Sequence, residues 1–171
     1  MKEFTKHHDI VAQIKVWFAQ KQFAHVTMSE KVNFIGNLYA DYFVRTELVL
    51  SSPLNNFPHV EIWVTNDGAI GFGLRYKNHS SKFACGHQPV HINSDLVLAL
   101  LEILAHGACA IKKTGLWFLG FTNFKLFIKD DEFQKLKRFN SAMDYDYATH
   151  FISPCEELPQ GKNVVELSAW L

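Results

Sequence analysis

A chain of 171 residues, 48% apolar and 20% charged, lies in the ordinary globular range and is long enough to close a core without a disulfide or metal staple. Its 17 basic and 17 acidic side chains cancel, which removes the basic excess that displaces counterions from phosphates and argues against a nucleic-acid partner. The longest apolar runs, 96–104 and 116–121, fall well short of the ~20 residues needed to cross a bilayer, so no membrane partner is expected.

The first predicted element is an amphipathic helix over 8–23, with Ile10, Ile14, Trp17 and Phe18 at helical spacing. Thr27, with Glu30 three residues on, has the form of a capping box. Met28, Val32, Ile35, Tyr39 and Tyr42 follow at steps of four and three, so a second helix is expected, completing an N-terminal helical hairpin. Residues 44–50 alternate like a strand, and Pro53 and Pro58 bracket a loop.

A β-hairpin over 60–65 and 69–76 is the clearest element, because Asn66-Asp67-Gly68 supplies the positive-φ positions that a tight reversal needs. Val60, Ile62, Val64, Ile70, Phe72 and Leu74 then share the core face. Gly71 and Gly73 leave a trough on the other face, across which Trp63 is expected to lie. Asp95–His106 reads as a third helix, capped at Asn93 or Ser94, closed by Gly107 and apolar nearly all round, hence central.

A second hairpin is expected from 116–121 and 125–129, turning at Thr122-Asn123, then a short helix over 130–139. Strand-like pieces at 149–153 and 164–168 end the chain. The expected fold is α+β: one domain over 1–171, with an antiparallel sheet of roughly five to seven strands, the helical hairpin and a central apolar helix packed on it.

Chemistry is concentrated in one segment. His79, Cys85, His87 and His91 supply imidazole and thiol groups of the kind zinc accepts, so this segment is the candidate metal site, and a metal-dependent hydrolase built on it is the rival reading. The spacing matches no paired-cysteine framework and Pro89 interrupts it, so the expectation is that no cofactor is bound. Cys109, among Gly107, Ala108 and Ala110, reads as a buried thiol, and Cys155 as an exposed one. Three widely spaced cysteines and no apolar leader with a cleavage site point to reduced thiols and a cytoplasmic setting. His25-Val26-Thr27 and His79-Ser80-Ser81 would form a phosphodiester-cleaving pair only if both lay on strands facing one cleft.

With 15 Phe, 4 Trp and 5 Tyr, the chain carries enough ring surface to leave some for contact. Trp63, Tyr76, Tyr145 and Tyr147 are the expected binding surface, the last two alternating with Asp144 and Asp146. The leading functional expectation is a small protein-binding module of accessory, immunity or inhibitor type, its partner another protein or a second copy of the chain through a sheet edge. It carries no catalytic signature.

Overall fold

The computed structural model describes residues 2–36, 42–54, 56–66, 70–76, 79–83, 94–114, 123–139 and 152–170. Helix α1 (Lys2–Lys21) turns Val11, Ile14 and Trp17 inward and Ala12, Lys15 and Ala19 to water, as the helical spacing of its apolar residues requires. It stops at Gln22, whose φ of 49° is a left-handed cap conformation.

Beyond Thr27 the structure departs from the expected helical hairpin. The chain forms strand β1 (Thr27–Gly36), paired antiparallel along its whole length with β2 (Tyr42–Ser51). The segment that shows helical spacing also alternates. Met28, Glu30, Val32 and Phe34 share one face, and Thr27, Ser29, Lys31 and Asn33 the other. Ten cross-strand partners on β2 decide between the two readings, because a ladder satisfies the backbone while Val32, Phe34 and Ile35 favour the pleat. Thr27 therefore opens a strand, and its hydroxyl lies 3.3 Å from the Ser51 carbonyl instead of capping a helix.

The next hairpin is as expected. Strands β3 (His59–Thr65) and β4 (Ile70–Tyr76) pair antiparallel, with Val60, Ile62, Val64, Phe72 and Leu74 buried on the core face. Strand β5 (His79–Phe83) completes a five-stranded sheet in the order β1-β2-β3-β4-β5. Helix α2 (Ser94–His106) follows.

A second sheet corrects the expectation of a single antiparallel one. Strand β6 (Cys109–Thr114) pairs with β7 (Asn123–Lys129), while the strand expected at 116–121 and Thr122 of its turn lie outside the described residues. After helix α3 (Asp130–Phe139), β8 (Ile152–Cys155) joins β7 in parallel and β9 (Val164–Glu166) joins β6 antiparallel. The order β8-β7-β6-β9 makes this sheet mixed. Pro154 sits on β8, an edge, where a missing N–H costs no ladder bond.

One buried cluster runs through α1, both sheets and α2. Leu96, Val97, Leu100, Leu101, Ile103, Leu104 and Ala105 of α2 are all buried, which bears out the central placement of this helix. The C-terminal segment seals its end. Leu167 donates its N–H to the Cys109 carbonyl (3.1 Å) and Trp170 donates its N–H to Ala105 (2.8 Å). The Trp170 ring packs 5.0 Å from Phe57 and 5.5 Å from Phe23, centroid to centroid.

Gly107 makes that closure possible. Its φ is +67°, and a Cβ there would meet the backbone nitrogen of Ala169 at 2.9 Å. Replacing Gly107 with Ala should cost about 1–3 kcal/mol, since left-handed strain and a backbone clash act together. Urea unfolding of the G107A chain would read the loss as a lower midpoint at unchanged slope.

Candidate binding surface

Two features stand out on the exterior, a groove among the helices and the free edge of β1. The groove, about 520 Å³, lies between α1, α2 and α3, with Trp17, Leu98, Ala99 and Ile103 among its apolar lining. Glu102 is part of its lining. It accepts hydrogen bonds from Trp17 Nε1 (2.8 Å) and Lys21 Nζ (2.8 Å), with His106 Nε2 at 3.7 Å one turn on. Burial raises the Glu102 carboxyl, but the bonds from Lys21 and Trp17 and the charges of Lys21 and His106 outweigh it and hold the group below its ordinary value.

The arrangement is a brace. One carboxylate ties α1 to α2 through two donors on α1. Glu132, also on the groove wall, is paired with Lys135.

The rings expected at the binding surface lie elsewhere. Trp63 is 6% exposed and Tyr76 is 5% exposed. The register sets Trp63 opposite Gly71 and Glu61 opposite Gly73, the trough expected from the glycine spacing. The Arg45 guanidinium carbon lies 5.0 Å from the Trp63 ring centroid, a cation–π contact that closes the ring from outside. The Tyr76 hydroxyl donates to Asn56 Oδ1 (3.0 Å), and Asn56 in turn takes the left-handed φ of 62° that Asn tolerates. Both rings are packing residues. Tyr145 and Tyr147 lie outside the described residues.

Among the described residues the exposed ring is Phe34, at 77%, with Val32 beside it on the same face at 50%. Left in water, Phe34 exposes on the order of 150 Å². Their strand is the outer one, and its backbone phase can be fixed. The Asn66 N–H donates to the Val44 carbonyl (2.9 Å), so Val44 turns its peptide groups toward β3. Alternation then turns Arg45, Glu47 and Val49 toward β1, where they meet Asn33, Lys31 and Ser29. The N–H and C=O groups of Met28, Glu30, Val32 and Phe34 therefore point outward, and among the described residues none pairs with them. Sequence reasoning missed this edge because it placed the segment in a helix; the alternation of Met28, Glu30, Val32 and Phe34 was the available signal.

Of the candidate metal ligands, His79 opens β5, while Cys85, His87 and His91 lie outside the described residues. Among the described residues no group of three His, Cys, Asp or Glu is placed to hold a metal ion. The two His-x-hydroxyl units do lie at strands, yet at opposite ends of the five-stranded sheet, separated by β2, β3 and β4. Interstrand spacing puts them roughly 19 Å apart, so they face no common cleft. Cys109 is fully buried at the start of β6, and burial pushes its thiol up to about 12. Cys155 corrects the expectation of an exposed loop thiol: it is half-buried on β8, with Sγ 3.4 Å from the Ile128 carbonyl it donates to. Burial, and then the charge of Asp130, raise it against the opposing effect of Lys129.

Two outcomes follow from this chemistry. Because the folded Glu102 carboxyl titrates below its ordinary value, the stability it contributes is full at neutral pH and is lost as pH falls through that lowered value. Glu102→Gln should therefore lower the melting temperature at pH 7, and the deficit should shrink as pH falls through the carboxyl's lowered range. Cys109 should resist alkylation at pH 8 in the folded chain and react only in denaturant, read by peptide mapping.

Among the described residues, no helix is long and apolar enough to cross a membrane. The chain matches no protein-family model, and comparison with curated proteins and with solved structures gives no match to either.

Proposed function

We propose that this chain is a protein-binding module, of accessory, immunity or inhibitor type, that takes its partner as an added strand along β1. The observation that carries the reading is the exposure of Phe34 and Val32, 77% and 50%, on an outer strand whose outward peptide groups have no partner among the described residues. An extended segment laid there would satisfy those N–H and C=O groups while covering the two side chains, which is how strand addition gains both affinity and register. The zero net charge supports a protein partner over a polyanion. No observation among the described residues favours the rival hydrolase.

Both side chains are already exposed, so replacing them leaves the core intact. Val32→Lys with Phe34→Lys should abolish co-purification of a partner from the native host, with a melting temperature within about 3 °C of wild type. Retention of the same partner by the doubly substituted chain would remove β1 from the reading.

A further inference from the structure

Resting on that reading of β1, we infer that the strand it receives is β1 of a second copy of this chain, antiparallel about a two-fold axis through Asn33. The first ground is the contrast between β1 and the other sheet edges. Strand β5 has five residues, β8 has four and includes Pro154, and β9 has three. Short length and proline are the usual protections against edge pairing. Strand β1 has ten residues and no proline, and no charge lies between Val32 and Gly36.

The second ground is the register. Two identical antiparallel strands related by a two-fold axis normal to the sheet place residue i opposite residue j with a constant, even sum. Centring the pair on Glu30 sets Glu30 against Glu30, and centring it on Lys31 sets Lys31 against Lys31, each a like-charge clash. Centring on Val32 sets Phe34 against the Glu30 carboxylate of the second copy. Centring on Asn33 sets Val32 against Phe34 and Phe34 against Val32, so each copy covers the other's two exposed apolar side chains. Lys31 then faces Ile35, Glu30 faces Gly36, and no like charges oppose.

The backbone phase agrees with this register. Val32 and Phe34 carry the outward peptide groups and become hydrogen-bonded partners, and Asn33 meets Asn33 at a non-hydrogen-bonded position, where Cα atoms approach to ~4.5 Å. Two copies with no net charge do not repel at neutral pH. A single strand pair covers less than the roughly 1,200 Å² of a standard interface, so the dimer exchanges with monomer at micromolar concentrations.

The test uses the full chain. Sedimentation equilibrium across ~1–300 μM should show the mass rising from 19.6 kDa toward twice that value, and Phe34→Lys should hold it at the monomer. Asn33→Cys should form a disulfide-linked dimer on oxidation, because ~4.5 Å lies within disulfide reach. Lys31→Cys should give no more than the wild-type background, since the two copies of position 31 would stand ~13 Å apart. A mass fixed at the monomer throughout, or cross-linking at position 31 and not at 33, overturns the inference. If the wild-type chain stays monomeric yet loses a different captured protein on substitution of Val32 and Phe34, only the self-pairing falls; if that capture is also insensitive, the reading of β1 falls with it.

Discussion

Helix α2 sets the architecture because it has so little surface that water tolerates. Seven of its thirteen residues are buried, and Leu98 and Ala99 are covered in part. A helix apolar around most of its circumference must be surrounded, and here α1, the two sheets and the tail around Trp170 share that task. The one charged side chain set into its flank, Glu102, is tolerated because α1 brings an indole N–H and an ammonium to it. Those two bonds also orient α1 on the core. Packing and electrostatics thus specify one placement, and the groove between the helices is what remains of the surface around that brace.

How much of this was legible in the sequence depended on whether a segment carried one periodicity or two. Residues 60–65 and 70–76 alternate without competing helical spacing, and their hairpin was readable down to the pairing of Trp63 with the glycine trough. Helix α2 was readable because nothing but a buried helix accommodates its run of leucines. Residues 27–36 carry both patterns, and Thr27 with Glu30 imitates a helix start. Only the long-range partner β2 resolves that ambiguity, and no local window contains it. The mixed second sheet was hidden for a related reason: β8 joins β7 in parallel across the intervening α3, a connection with no hairpin signal.

The site was less legible than the fold. Counting aromatic residues correctly implied that some ring would be left outside, but residue type alone cannot say which. Trp63 and Tyr76 have polar companions, the Arg45 guanidinium over the indole ring and Asn56 on the Tyr76 hydroxyl, that help large rings to be enclosed. Among the described residues Phe34 has none, and its position on an outer strand leaves it uncovered. Cys109 and Cys155 show the same dependence on context. Each is set by what surrounds the sulfur, a closed apolar cluster in one case and a neighbouring carbonyl in the other.

The order of the five strands has a bearing on how large an assembly could become. An exposed sheet margin threatens open-ended growth only if the molecule offers a second margin to continue from. Here the opposite margin is the brief β5, and the other sheet terminates in a proline-bearing strand and a three-residue one. Once two copies join edge to edge along β1, neither retains a comparable template among the described residues. Growth would stop at a closed pair, so one sticky strand need not seed a fibre.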